Sequence, residues 1–182
     1  MPPAKAAFFK RGMDMIFLET QRLMLRNVCP EDAAVMYDYR NNEICARYQR
    51  GQTRDLPGIE ALVAQRAEDA LTDEANSLVA VTLKETGEMV GEIVVMPNDG
   101  CFTLGYTFSY KHHRKGFAFE ALSALTELLH AHYPEMEFIS FTDPDNIPSR
   151  KLLEKLGYTD LGYVEKVTSN VYGKWLKEDS EL

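Results

Sequence analysis

Apolar and polar residues along this chain change period in a regular order. Over 16–28, Phe17, Leu23, Leu25 and Val28 are apolar with polar residues interleaved, which predicts a strand. Pro30-Glu31-Asp32 then opens a helix to about Tyr39, proline and acids being favoured at a helix start. Asn41-Asn42 breaks it, a short segment follows over 43–48, and 51–54 is loop. A second helix is predicted over 56–70. Residues 77–84 and 89–96 alternate as a hairpin around Glu85-Thr86-Gly87-Glu88. Pro97-Asn98-Asp99-Gly100 turns the chain into a third strand, 102–108. A helix reaches about Tyr133, with Phe117, Ala121, Leu122, Leu125, Leu128, Leu129 and His132 on one stripe. Glu120, Ser123, Glu127 and His130 fall on the other side. A strand over 137–142, a helix over 146–156 stopped by Gly157, and a hairpin over 161–167 and 171–175 around Ser169-Asn170 complete the pattern. The order β-α-α-β-β-β-α-β-α-β-β is that of an α+β domain around a mostly antiparallel sheet.

The chain has 182 residues, 45% of them hydrophobic, which suits one domain with a full core. The expected division is a loose tail over 1–14 and a single domain over 15–182, with Met1, Met13 or Met15 as the start. The net charge of −8 argues against nucleic acid as partner and mildly favours an amine through steering. Cys29, Cys45 and Cys101 are widely spaced, with no C-x-x-C, so neither a zinc site nor a disulfide framework is expected and a cytoplasmic setting is. No apolar run is long enough for a signal peptide or a membrane span.

Between the third strand and the long helix stands His113-Arg114-Lys115-Gly116-Phe117-Ala118. The first turn of a helix has N–H groups without internal partners and a positive dipole end, so a phosphate is stabilised there. Gly116 lets the backbone approach closely, and Arg114 and Lys115 add charge at the rim. An ordinary strand–turn–helix connection is the competing reading. A second motif weighs against it: Asp145-Asn146-Ile147-Pro148-Ser149-Arg150, continuing through Leu152, Leu153 and Leu156 to Gly157-Tyr158. Asn146 is placed to N-cap that helix, with Pro148 in its first turn.

The two stretches together resemble the GCN5-related N-acetyltransferase (GNAT) family. The first is similar to its acetyl-CoA pyrophosphate signature, [Gln/Arg]-x-x-Gly-x-[Gly/Ala]. The second is similar to its N-x-x-S-x-x-L-x-x-x-G-[Phe/Tyr] helix. Glu19-Thr20-Gln21-Arg22-Leu23-Met24-Leu25-Arg26 with Glu31-Asp32 resembles the opening of its Rim-type branch, the ribosomal-protein N-terminal acetyltransferases. Gly105-Tyr106 before the turn and Phe119-Glu120-Ala121-Leu122 after it fit that branch. The likeness spans about 18–175 in order and spacing.

The resemblance implies a GNAT-like fold in which the strands over 102–108 and 137–142 run parallel and then splay. Acetyl-CoA would lie in that V as co-substrate. Its pantetheine arm would pair near Thr107, Phe108 and Ser109, and its pyrophosphate would rest on the N–H groups of Arg114, Lys115, Gly116, Phe117 and Ala118. A backbone N–H near Phe108 would polarise the thioester carbonyl. His113, Asn146 and Ser149 complete the expected cofactor contacts. His113 stands where the family has Gln or Arg, Leu153 where many members carry a tyrosine acid, and Thr103 where a glutamate base is common. The Rim-type branch often lacks that tyrosine too, and the resemblance then implies the motif serine, Ser149, as the candidate acid.

The implied reaction is attack of a neutral primary amine on the acetyl thioester. An α-amine, with pKa about 8, is partly neutral at cellular pH; a lysine-type amine near 10.4 pays roughly 4 kcal/mol for its proton. Without a glutamate base, a peptide or protein N-terminal α-amine is the acceptor least affected. Glu92 is the internal base candidate, acting through a water; a solvated strand face is its alternative. Ser149 as acid competes with a role bonding backbone or pantetheine. Glu120 is taken as structural, since a carboxylate aimed at pyrophosphate would repel it. His112-His113 and His130-x-His132 lack the companions of a metal site, so no metal is expected. Arg47, Tyr48 and the helix over 56–70 are expected beside the acceptor cleft. Tyr158, Tyr163, Tyr172 and Trp175 are expected in the core and at edges. The alternatives are acetylation of a polyamine, amino sugar or antibiotic, and a catalytically silent acyl-CoA-binding domain. A homodimer would cover the edge strands of the C-terminal hairpin.

Overall fold

A computed structural model describes residues 9–11 and 14–177. Nine strands form one sheet among these residues, in the order β1-β2-β3-β4-β5-β6-β7-β9-β8. They are β1 (Phe9–Arg11), β2 (Asp14–Glu19), β3 (Leu23–Asn27), β4 (Ser77–Leu83), β5 (Met89–Asn98), β6 (Cys101–Phe108), β7 (Glu137–Thr142), β8 (Thr159–Val164) and β9 (Ser169–Lys174). The helices are α1 (Asp32–Asn41), α2 (Glu43–Ala46), α3 (Leu56–Arg66), α4 (Phe117–His132) and α5 (Ile147–Lys155). Every neighbouring pair is antiparallel except β6 with β7. The expected α+β, GNAT-like architecture is present.

Alternation of side chains across the sheet sorts the core into two layers. Val79, Val81, Ile93, Phe102, Leu104 and Phe138 face α4 and α5, and meet Leu122, Leu125, Leu129 and Leu153. Leu78, Ala80 and Val94 face the other way, toward Met36 and Tyr39 of α1 and Ile59 and Val63 of α3.

Three elements differ from expectation. The single strand over 16–28 is a hairpin, because Thr20 closes a turn: its N–H donates to Leu23 O at 2.9 Å and Leu23 N–H returns to its hydroxyl at 3.0 Å. The last hairpin turns at 165–168, where Thr168 takes φ 49°, and Ser169-Asn170 are buried strand residues of β9. On α4, His132 is exposed, while His130 stacks on Trp175 at 3.9 Å. Of the tail over 1–14, residues 1–8, 12 and 13 lie outside the described residues, whereas Phe9 pairs with Ile16.

The functional consequence lies between β6 and β7. Their pairing covers Cys101–Glu137, Phe102–Phe138 and Thr103–Ile139, and then stops. β7 continues to Thr142 on β9 alone, and β6 to Phe108 on β5 alone. Beyond Thr103 the two strands leave a wedge with a free edge on β6.

Candidate active site

Ser109 N–H donates to Val90 O on β5 at 2.9 Å. Antiparallel alternation therefore turns the N–H and C=O of Phe108 and Tyr106 toward the wedge. The carbonyl of Phe108 accepts from His113 Nε2 at 2.8 Å and from Cys45 Sγ at 3.3 Å. A carbonyl cannot donate, so His113 carries its proton on Nε2. His113 thus braces the end of β6.

At the mouth of the wedge, Arg114 takes φ 60° and Gly116 φ 80°. Left-handed residues on either side of Lys115 give the alternating backbone of an anion nest, in which successive N–H groups can converge on one ligand. Gly116 is the N-cap of α4, and Glu120 N–H is bonded to Gly116 O at 3.0 Å. The N–H groups of Phe117, Ala118 and Phe119 precede it and have no helical acceptor. Lys115 and Arg114 are exposed around this terminus, while the Phe117 ring is buried beneath it. The expected anion-binding residues are assembled as a group.

Arg22, from the β2–β3 turn, was not singled out from sequence for this site. Its Nε meets Glu120 Oε2 at 2.6 Å, its Nη1 donates to Lys115 O at 3.0 Å, and its guanidinium lies 4.6 Å over the Phe117 ring. Glu120 also accepts from Thr20 Oγ1 at 2.6 Å and Arg22 N–H at 2.8 Å. Burial would push its carboxyl up, but the bonds from Thr20 and Arg22 outweigh that and hold it below the usual range. Glu120 faces Arg22, a partner the sequence reading did not name. The signal was available in the Glu19-Thr20-Gln21-Arg22 run, which carries a cation and a hydroxyl in one tight turn.

The wedge holds a cleft of about 360 Å³, lined among others by Gly105, Tyr106, Ser140, Asn146 and Ser149. Asn146 caps α5 by accepting from Ser149 N–H at 3.2 Å. The Ser149 hydroxyl lies 2.7 Å from the Tyr106 hydroxyl. Burial raises the Tyr106 phenol, with the Ser149 bond opposing, so it stays protonated at neutral pH. Sequence reasoning found Ser149 but not its partner, since nothing local tells that Tyr106 points at α5. Leu153 is core, and Thr103 belongs to the paired part of β6.

The pairing expected of Thr107 and Ser109 was through backbone, and their side chains lie away from the wedge. Thr107 faces the α1–α3 layer, where its hydroxyl accepts from Gln52 at 3.1 Å. Ser109 is buried and caps the short turn over 110–112.

Glu92 is not on a solvated face; it is 1% exposed. It stands opposite Thr107, and Arg40 holds it by Nε to Oε1 at 3.0 Å and Nη2 to Oε2 at 2.8 Å. Gln52 adds a bond to Oε1 at 3.0 Å. Burial pushes its carboxyl up and Arg40 pulls it back. With both oxygens engaged, the geometry makes Glu92 the anchor of Arg40 and Gln52 rather than a free base. Tyr48 lines the cleft as expected, whereas Arg47 and α3 are not among its walls.

Comparison with known proteins agrees with this geometry. N-acetyltransferase p20 of Bacillus licheniformis, itself described as uncharacterized, is 28% identical over 149 residues, 80% of this chain and 83% of that protein. Among solved structures, a GNAT-family acetyltransferase from Bacillus anthracis superposes with TM-score 0.74 at 20% identity, over 87% of this chain and 96% of that one. The apo form of RimL, a ribosomal L7/L12 α-N-protein acetyltransferase, gives TM-score 0.74 at 16% identity, over 92% and 98%. The sequence model of the acetyltransferase (GNAT) domain matches residues 22–159, which run from Arg22 at the anion nest past Ser149 into β8, and the chain therefore belongs to the GNAT acetyltransferase family.

Proposed function

We propose that this enzyme transfers the acetyl group of acetyl-CoA to the α-amine of a peptide or protein N-terminus, as a Rim-type member of its family. The observation that carries the reading is the meeting of three groups in one wedge: the α4 nest, the free edge of β6, and the Ser149–Tyr106 hydroxyl pair. The residues suit acetyl-CoA. The nest and exposed Arg114 and Lys115 take the pyrophosphate, with Phe117 and Ala118 N–H groups beside them. The N–H of Phe108 is the donor available to the thioester oxygen. The acceptor nitrogen bonds to the acetyl carbon as the C–S bond breaks. Ser149 gives a proton to the departing thiolate, Tyr106 restores it across 2.7 Å, the acceptor's surplus proton leaves to water, and one proton taken up from water returns Tyr106 to its neutral form.

The α-amine is favoured because Asp143, the carboxylate lining the described cleft, is paired with Arg50, and Glu92, buried outside that lining, is held by Arg40. The likeness to RimL, whose acceptor is an α-amine, supports the same choice. We take the sheet from β1 to β9 and its helices as a single domain, in a cytosol where Cys29, Cys45 and Cys101 stay free. A second copy would cover the outer strand β8, where Tyr163 is 55% exposed; a monomer by light scattering would remove that part.

Thiol release from acetyl-CoA against a panel of free-N-terminus peptides, polyamines, amino sugars and aminoglycosides tests the reading. Turnover confined to peptides is expected. Turnover on a small amine alone would transfer the assignment to that class, and saturable CoA binding without turnover would make this a silent acyl-CoA-binding domain.

A further inference from the structure

The first turn of α5 carries Ser149, yet none of the apolar side chains in that turn is buried. Leu153, 2% exposed, and the C-cap Leu156, 6% exposed, pack the far end of the helix into the core. At the near end Ile147 is 46% exposed, Pro148 is exposed, and Ser149 and Arg150 are half-buried. The Asn146 cap closes the turn on itself and does not attach it to a strand. Attachment is left to polar contacts: Tyr48 on the Asp145 carbonyl at 3.0 Å, Ser149 on Tyr106 at 2.7 Å, and the contacts of Arg150.

Arg150 follows Ser149 by one residue, about 100° around the helix, and so leaves toward the C-terminal hairpin. Its Nε donates to the Tyr172 hydroxyl at 3.1 Å, its Nη1 to Pro144 O at 3.3 Å, and its Nη2 reaches Asp160 Oδ2 at 3.5 Å. Tyr172, fully buried on β9, donates its own hydroxyl proton to Asp160 Oδ2 at 3.1 Å. Asp160 Oδ1 accepts from Gly162 N–H at 2.9 Å and from Asn170 Nδ2 at 3.5 Å. These bonds, that of Gly162 first, hold the Asp160 carboxyl below the usual carboxylate range. A β-bulge sets this carboxylate. β8 pairs Thr159 with Gly173 and Asp160 with Tyr172, then skips Leu161 and resumes with Gly162 on Val171. Gly162 takes φ 93°, which the missing Cβ allows, and its N–H turns back to Asp160. Gly162, Asn170 and Tyr172 all belong to β8 and β9, so the hairpin fixes the anion without help from α5.

We infer that Asp160, acting through Tyr172 and Arg150, is a positioning residue for the acid: it sets the rotation of the first turn of α5 and so keeps the Ser149 hydroxyl on Tyr106. This rests on the reading of Ser149 as the acid. Neither Asp160 nor Tyr172 lines the cleft, so their effect passes through α5. The ion pair is long and its side chains are 31% and 34% exposed, the kind that contributes little to stability. Loss of Asp160 is therefore felt in the geometry of the turn more than in the stability of the fold.

Two measurements on the full chain test this. Amide hydrogen exchange needs no acceptor: in Asp160→Asn, exchange over 149–152 should quicken by about tenfold while the strands of the sheet stay protected. Equal exchange in wild type and variant overturns the inference. The second is a double-mutant cycle on kcat with acetyl-CoA and a peptide with a free N-terminus. Asp160→Asn should lower kcat about tenfold with KM for acetyl-CoA within about twofold, and in a Ser149→Ala background the same substitution should change kcat by less than about twofold, because the acid it positions is gone. Tyr172→Phe, which keeps the ring and removes the hydroxyl between Arg150 Nε and Asp160, should reproduce both results. Equal losses in the two backgrounds, a wild-type kcat in Asp160→Asn, or a rise in KM alone would each overturn the inference. An unchanged kcat in Ser149→Ala would instead sink the reading of Ser149 as the acid.

Discussion

Glu92 and Arg40 are 1% and 3% exposed, so neither charge has water to fall back on. A buried pair contributes little over an apolar pair, but breaking one strands the other charge, at about 3–5 kcal/mol. Glu92→Ala should therefore lower stability by that order in urea unfolding. Arg40→Met with Glu92→Leu should recover most of it, and kcat should survive in the double variant if Glu92 is an anchor rather than a base. The Ser149–Tyr106 pair calls for a different outcome. Ser149→Ala removes the proposed acid and should reduce kcat by about 10²-fold or more, the usual scale for general acid catalysis, with CoA affinity little changed. Tyr106→Phe leaves Ser149 in place and removes only its proton source, so a smaller loss is expected. Equal kcat in wild type and both variants would deny the hydroxyl pair a chemical role.

At the scale of elements, α4 works only if its first turn stays open to an anion, and the β2–β3 hairpin holds it so through Arg22 and Glu120. Because Glu120 titrates below its ordinary 4.5, its contribution is complete above that value and is lost as pH falls through the lowered folded value. The stability gap between wild type and Glu120→Gln should thus be full at pH 6 and close as pH falls below about 4. Urea midpoints of both proteins across that range measure it; a gap independent of pH would show that the carboxylate's charge is not what ties hairpin to helix. The elements themselves were largely legible. The Asn146 cap, the Gly157 stop and, apart from His132, the apolar stripe of α4 are local signals, and each is where the pattern predicts. The same holds for the Gly116 turn, because only local backbone geometry is at stake. What sequence could not show is pairing at a distance. Arg22 meets Glu120 across 98 residues and Arg40 meets Glu92 across 52, and no period of either segment encodes those meetings. The hairpin over 16–28 was missed for a related reason: one hydroxyl, Thr20, reverses the chain inside what reads as continuous alternation.

Across the described residues, the sheet is continuous except at the wedge, and Glu92 and Asp143 beside it are paired with arginines. Deprotonation of the acceptor then falls on the acceptor's own acidity. An α-amine near pKa 8 and an ε-amine near 10.4 differ a few hundredfold in neutral fraction at pH 7. For a peptide with a free N-terminus, kcat/KM should rise about tenfold per pH unit below 7 and level off near 8. For a peptide whose sole free amine is on a lysine side chain, it should start far lower and keep rising toward pH 10. The net charge of −8 adds a second dependence, since cationic acceptors are drawn in by the field of the chain and salt screens that field. Raising ionic strength should lower kcat/KM for both peptides while leaving the two bends in pH where they are. A bend shared by both peptides and set well below pH 7 would instead report a protein base, and would require one of the paired carboxylates to leave its arginine during turnover.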